Sequence, residues 1–540
     1  MFALIGVEHF PIIVVVMSLL SAYTILVAGW FNRKACFPIS LMTLIAQLSL
    51  AVLILHRAIS APIIYKIGGW MFPWGIVYVV DVLNAFVLLV ILFIGVLCVI
   101  YGWKNLEKEI GQRKTVTFYV VLQLYITGLC GIVVTGDLFN LYVFLEIASL
   151  SSYALIASAG GRALKASFNY LVMGSIGACF YLLGVGFLYA VTGHLTMESV
   201  KEILPLLGYG NKMVQAAFVF ILIGFSIKMA LFPLHIWQPD AYSYAPSTVS
   251  ALIAATSSKV SIYALMRVLL SVFTLDFITN YVGLDILICW IAAIGIIAGS
   301  LFAIMQRNIK RMLAYSSVSQ IGYIMLGLGL TPLSPWGLVG AVAHILNHAI
   351  MKCCLFMSVG GFFHRLKLLD INNFNGLGRK MPWTSAFFTV AALSMIGVPP
   401  TTGFASKLFL LIASAEAAET VSSGYAFIAV LLLSSLLNLV YFWRVIERMY
   451  FIEPHPHHDI SGSESGSKSK SGSGADGIPR AMLFSMFVLA SSCIILGILW
   501  LTFVPQTIVH NLCAMFGLPQ LSDMGTAAAA AAGVEAVGGR

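Results

Sequence analysis

Apolar runs of about twenty residues follow one another along nearly the whole chain, and no other feature limits its fold so severely. A run of that length spans the hydrocarbon core of a bilayer as an α-helix, and inside lipid a helix satisfies its own backbone hydrogen bonds. Fourteen runs stand between polar breaks, near 9–31, 36–56, 79–102, 115–134, 138–158, 167–191, 213–235, 246–271, 281–305, 311–330, 338–361, 384–413, 424–450 and 480–505. Charged residues make up only 9% of the 540, against about 25% in soluble domains. The chain therefore reads as an all-α polytopic membrane protein with about 14 transmembrane helices. Glu8 and the lack of a basic residue before the first run argue for a retained first helix rather than a cleaved signal peptide.

The net charge of +9 does not point to nucleic acid, because the basic residues follow topology instead of forming one patch. Loops after odd-numbered spans hold Arg33, Lys34, Lys104, Lys108, Arg113, Lys114, Arg162, Lys165, Arg307, Lys310, Arg311, Arg365, Lys367, Arg379 and Lys380. Those after even-numbered spans hold only Arg57, Lys66, Lys201, Lys212 and Arg267. The positive-inside rule then places both termini outside the cytoplasm. The 9 cysteines contain no Cys-x-x-Cys pair and lie in apolar runs, where cysteine acts as a small hydrophobe. No cofactor and no metal framework is read from them. Residues 451–479, with His455, His457 and His458 followed by a Ser/Gly tract, read as a flexible cytoplasmic linker. Residues 480–540 hold the last span and an alanine-rich tail.

Against this background the ionisable residues inside the spans stand out: Asp81, Glu146, Lys228, Lys259, His344, His348, Lys352 and Lys407. At about 2.5–3.5 kcal/mol each on insertion scales, the four lysines and Glu146 would cost roughly 12–17 kcal/mol. Such groups persist only when paired, turned to a hydrated interior, or carried without their charge. Lys228 and Lys407 share a local frame, Gly224-Phe-Ser-Ile-Lys228 and Gly403-Phe-Ala-Ser-Lys407. Each has proline nearby, Pro233 after the first and Pro399-Pro400 before the second. Helices interrupted near mid-membrane, in matching positions of two halves, mark the working site of a transporter. Spans 7 and 12 are therefore expected to be broken.

The remaining charges have bland readings beside the functional ones. Asp81 lies near a helix start and suits the interface, and Asp137 suits a helix N-terminus. Arg267 is placed to snorkel. Lys259 is too deep for that. His344, His348 and Lys352 recur at i, i+4 and i+8 on one helix and read as a proton wire. Two histidines without a third ligand make a poor metal site. Glu146, Lys228, Lys259, the histidines and Lys407 lie on five spans, as a horizontal row of protonatable groups would require.

These residues resemble the antiporter-like subunits shared by Mrp-type sodium/proton antiporters, respiratory NADH:quinone oxidoreductase and membrane-bound hydrogenases. The resemblance runs from about residue 67 to 450. It is carried by Gly68-Gly-Trp-Met-Phe-Pro-Trp-Gly-Ile76 with Asp81, Thr135-Gly-Asp-Leu-Phe-Asn140 leading to Glu146, and Lys228-Met-Ala-Leu-Phe-Pro-Leu-His-Ile-Trp-Gln-Pro-Asp240. Lys259-Val-Ser-Ile-Tyr263, Asn308-Ile-Lys-Arg311, His344-Ile-Leu-Asn-His348 and Gly397-Val-Pro-Pro400 complete it. Within the family it is most similar to the D-type subunit of the Mrp antiporter, with lysine, not glutamate, at 407.

The resemblance implies two inverted five-helix repeats, 115–272 and 273–450, after three N-terminal helices in 1–114. It implies that Glu146 and Lys228 form a switching ion pair, that Lys259 and His348 relay protons, and that Lys407 leads to the exit or to a neighbouring subunit. It also implies a subunit of a multisubunit complex in the prokaryotic plasma (inner) membrane, moving protons and in one reading sodium. The alternative within the family is a proton-pumping antiporter-like subunit of a membrane-bound hydrogenase or NADH:quinone oxidoreductase; outside it, the alternatives are a membrane enzyme and a stand-alone solute transporter. Of these two, the first lacks a cofactor motif or a nucleophile–base arrangement, and the second would work without partners.

Overall fold

A computed structural model describes residues 6–70, 75–453, 476–502, 513–516 and 518. In chain order the elements are α1 Phe10–Phe31, α2 Cys36–Ala58, β1 Ile63–Lys66, β2 Val77–Val80, α3 Val82–Ile110, α4 Thr115–Val134, α5 Leu138–Ala157 and α6 Arg162–Thr192. Then come α7 Met197–Leu207, α8 Lys212–Met229, α9 Gln238–Tyr244, α10 Ser247–Val268, α11 Thr274–Asp276, α12 Leu284–Ile304 and α13 Ile309–Leu330. The chain continues with α14 Pro335–Leu366, α15 Leu377–Lys380, α16 Pro382–Ile396, α17 Thr402–Thr420, α18 Ser423–Tyr450 and α19 Arg480–Thr502. Among the described residues 13 helices are long and apolar enough to cross a membrane. The expected span 384–413 is divided into the short apolar α16 and the α17 that follows it.

Both expected breaks are present. α8 stops at Met229 with Ala230 in the left-handed region, and the chain turns through Pro233 before α9 begins. α16 stops at Ile396, with Gly397 at φ 96°, and Pro399-Pro400 lead into α17. The two lysines stand on opposite sides of their breaks. Lys228 is in the last turn of α8, whereas Lys407 lies in the second turn of α17. The matching frames thus do not occupy matching positions.

The frame's glycine does have one job in both places. A Cβ on Gly224 would meet the Gly177 carbonyl oxygen at 2.7 Å and the Tyr181 nitrogen at 2.8 Å, so α6 and α8 touch backbone to backbone. A Cβ on Gly403 would run into the Ser394 carbonyl of α16. Small residues permit such close approach where lipid offers no hydrophobic drive for association. Each glycine seats, one turn before its lysine, the helix that carries it.

α14 is the axis of the bundle, its most apolar window wholly buried. It packs against α3, α10, α13, α16, α17 and α19. α10 in turn packs on α8, α5 and α4, while α1 and α2 lie at the edge against α4 and α3. One small antiparallel hairpin was not anticipated. β1 pairs with β2 from Ile63↔Val80 to Lys66↔Val77, and the Val77 carbonyl accepts from Gly136 N at 2.9 Å. The short β-branched run Val77-Tyr-Val-Val80 is its sequence signal, absorbed here into the start of the neighbouring apolar run. Asp137 caps α5 as expected, accepting from Asn140 N at 2.7 Å.

The expected linker falls mainly on residues 454–475, outside the described residues, as do His455, His457, His458 and the alanine tail. Its far end is anchored. Asp476 is fully buried and accepts from the Thr384 amide at 2.6 Å and hydroxyl at 2.7 Å, capping α16.

Gly224→Val should therefore lower thermal stability in detergent by about 1–3 kcal/mol, the usual cost of overpacking. Gly186→Ala, at a site with open space around it, should melt as the wild type or slightly above it. A wild-type melting temperature for Gly224→Val would show that the α6–α8 approach is not needed.

Candidate functional site

The residues of the expected row come from α5, α8, α10, α14 and α17. α10 packs on α5, α8 and α14, and α14 packs in turn on α17. All the row residues are buried except Glu146. Lys228 donates to Glu146 Oε1 at 2.9 Å and to Ser149 Oγ at 2.7 Å. The lysine side chain is 4% exposed and the carboxylate 22%, so the pair is reached from the Glu146 side. Ser149 is on the Glu146 face at i+3, which is why both acceptors converge on one ammonium.

The break beyond Lys228 is held by aromatic residues. Trp237 Nε1 donates to Ile227 O in the last turn of α8 at 2.9 Å, a second donor beside Ala230 N. The indole is stacked flat on Tyr170, ring centroids 3.8 Å apart. Between Lys228 and α10 lies a small cavity whose lining includes the hydroxyl-bearing residues Tyr125, Ser149, Tyr170, Ser257 and Ser261. Tyr125 OH and Thr256 Oγ1 are 2.8 Å apart. These hydroxyls were missed from the sequence, although the run Thr256-Ser-Ser-Lys259 was a usable sign of a polar helix face.

Lys259, 2% exposed, donates to the carbonyl of Ala254 on its own helix. Lys352 donates to Leu313 O at 2.7 Å and Ser316 Oγ at 2.5 Å on α13. The rings of His344 and His348 are stacked at 5.9 Å, as the i, i+4 spacing requires. His344 is fixed at both nitrogens, by Ser406 Oγ at 2.9 Å and Gln320 Oε1 at 2.9 Å. Neither ring nitrogen of His348 has a hydrogen-bond partner among the described residues. The row is therefore contiguous through packing and not through an unbroken chain of direct hydrogen bonds.

Lys407, which by the resemblance leads to the exit or to a neighbouring subunit, has no acidic partner among the described residues. Within the chain it donates to Met395 O and Ile396 O, both at 2.9 Å, and to Ser435 Oγ at 3.3 Å. The break at Pro399-Pro400 is the physical reason. Stopping α16 leaves its last carbonyls unpaired and places the negative end of its dipole at the ammonium.

Two basic residues need correction. Arg267 does not snorkel. It is buried and pairs with Asp81 at 2.5 Å, and Asp81 caps α3 by accepting from Leu83 N at 3.0 Å. Lys310, assigned to a loop, is 3% exposed and donates to Ala245 O at 3.0 Å. On the other side of Pro246, Glu109 Oε2 accepts from Ser247 N at 2.6 Å. A cation thus grips the C-terminal end of α9 and an anion the N-terminal end of α10, each complementing the local helix dipole.

Residues 135–435 match the family described as NADH:quinone oxidoreductase/Mrp antiporter, transmembrane. The chain is 43% identical over 449 residues to the N-type subunit of the NADH-quinone oxidoreductase of Desulforudis audaxviator, covering 82% of this chain and 86% of that one. It is 32% identical over 397 residues to the D-type subunit of the Na(+)/H(+) antiporter of Alkalihalophilus pseudofirmus, covering 73% and 77%. Among solved structures it superposes on a chain of the membrane-bound sulfane sulfur reductase, an archaeal respiratory membrane complex. That match has a TM-score of 0.81 at 30% identity, covering 94% of this chain and 98% of that one.

Removing one member of a buried ion pair strands the other. Arg267→Met should cost about 3–5 kcal/mol of stability, seen as a lower melting temperature of the purified protein. Adding Asp81→Asn should restore part of the loss, and strictly additive losses would mean that the two residues are not coupled.

Proposed function

Because the chain belongs to the NADH:quinone oxidoreductase/Mrp antiporter transmembrane family, we propose that it is a proton-translocating subunit of a multisubunit membrane complex, of the kind represented by the D-type Mrp subunit. It is a multi-pass membrane protein. The proposal extends to a plasma (inner) membrane location, to both termini lying outside the cytoplasm, and to two inverted repeats, 115–272 and 273–450. The observation that carries the reading is the pairing of the buried Lys228 with Glu146 at 2.9 Å, beside a broken helix and a cavity lined in part by serines and tyrosines.

In this mechanism the Glu146 carboxylate compensates the Lys228 charge and keeps the ammonium protonated. When the two part, the charge stands alone in a medium of low dielectric, and the proton leaves toward Lys259. The cavity between α8 and α10 lies on that path. His348, His344 and Lys352 pass charge across α14, and Lys407 receives it against the end of α16. No group in the row needs a cofactor to carry a proton. Sodium, if exchanged, need not pass through this chain.

A second reading is favoured by the identity to the quinone oxidoreductase subunit: the same row driven by a redox reaction in neighbouring subunits. Mass spectrometry of the natively purified complex separates the two, by finding either small antiporter subunits or oxidoreductase subunits.

Lys228→Ala should abolish proton translocation by the complex in proteoliposomes while assembly on a native gel is unchanged. Glu146→Gln should cost nearly as much. Wild-type transport in Lys228→Ala would end the proposal, and a mild defect in Glu146→Gln would leave Lys228 without its switching partner.

A further inference from the structure

The two halves of the row treat their lysines unequally. Among the described residues the acid–base pairs are Glu8–His9, Glu146–Lys228, Asp81–Arg267 and Asp240–Arg311, and none includes Lys407. Two carbonyls and a hydroxyl surround that ammonium, all partial charges. A further source of negative potential stands beside them. The Lys407 Nζ lies over the ring of Tyr323, 5.1 Å from its centroid, within the range at which a ring face attracts a cation. Such attraction is greatest for a desolvated cation, and Lys407 is 6% exposed while Tyr323 is fully buried.

The same ring also faces the histidines. Tyr323 and His344 are stacked with centroids 5.5 Å apart and planes 23° from parallel, and His344 is stacked on His348 in turn. His348, His344, Tyr323 and Lys407 therefore form one column drawn from α14, α13 and α17. The Tyr323 hydroxyl points toward Ser434 and Ser435, while its ring face is the part turned to Lys407 and His344.

We propose that Tyr323 is a positioning residue of the translocation row, using its ring face in place of a carboxylate to hold Lys407 and to couple that lysine to His344. This rests on the reading of the row as a proton path. A proton arriving at His344 makes the imidazole a second cation beside the same ring. Ring quadrupole and imidazolium then act on Lys407 in opposite senses, and the lysine is loosened from the end of α16. The charge state of α14 is thereby passed to α17 without a direct hydrogen bond between His344 and Lys407. Gln320 and Ser406, which fix the His344 nitrogens, keep the imidazole parallel to the ring while this happens.

The test uses the whole complex in proteoliposomes, with proton translocation measured at equal amounts of assembled complex. Tyr323→Phe keeps the ring face and should stay within about twofold of wild type. Tyr323→Leu and Tyr323→Met remove it and should be slower by roughly 30-fold, equivalent to about 2 kcal/mol in a barrier. Wild-type rates in either aliphatic variant overturn the proposal. So does a Tyr323→Phe as slow as Tyr323→Leu, since the hydroxyl would then be the working part. If neither aliphatic variant assembles, Tyr323→Phe alone decides. Lys407→Ala is measured in parallel. Full transport in that variant removes the underlying reading of the row, whereas its loss together with a normal Tyr323→Leu removes only the role of Tyr323.

Discussion

A cation inside hydrocarbon is tolerable only where oxygen atoms or electron-rich surfaces surround it, and this requirement organises the bundle. Lys259 is met by a carbonyl of its own helix, and the other three buried lysines of the row are each met by a different supply. Lys228 has a carboxylate and a serine, Lys352 a carbonyl and a serine on α13, and Lys407 the carbonyl end of α16. A carbonyl inside an intact helix already accepts from an amide of its own helix and takes an ammonium only as a second donor, as Leu313 O and Ala254 O do. The last carbonyls of an interrupted helix lack such an amide. The interruption of α16 is therefore what turns its last carbonyls to Lys407, and beside the interruption of α8 Trp237 adds a second donor to Ile227 O, which also accepts from Ala230 N. Charge, break and aromatic cover are one device seen from three sides.

The same requirement explains what could be read from the chain alone. Spans, breaks and buried ionisable residues are one-dimensional signals, because lipid fixes the length of a helix and penalises every charge within it. The Glu146–Lys228 pair was expected from the family resemblance and not from spacing, since depth alone marks each residue but does not join them. What escaped depended on distance across the bundle. Nothing local distinguishes a snorkelling Arg267 from one that reaches Asp81, far away in sequence. Lys310 follows a loop and looks like a topological charge, yet the fold brings the buried carbonyl of Ala245 to it. The partner of Lys407 was invisible because it is backbone, and backbone carries no residue name.

The repeated Gly-Phe-x-x-Lys frame is a lesson in partial matches. It gives both lysine-bearing helices a close neighbour one turn earlier, through Gly224 and Gly403. It does not give the lysines the same relation to their breaks, one standing before and the other after. Shared sequence here encodes a shared packing contact, while the electrostatic surroundings diverge: a full counter-charge in one half, dipoles and a ring face in the other.

The enclosure of α14 has a consequence for how the protein is made. As an isolated segment this helix carries two histidines and a lysine through its middle, so its own partitioning into lipid is weak. In the finished protein its middle touches no lipid. α3 and α10, which cover part of it, are synthesised earlier, but α16, α17 and α19 follow later. During synthesis α14 must wait half-covered, dependent on helices already in place to shelter its polar face. Its insertion is then a cooperative event of the growing bundle, and the order of helices along the chain is part of what allows such a polar axis to reach the centre of a membrane.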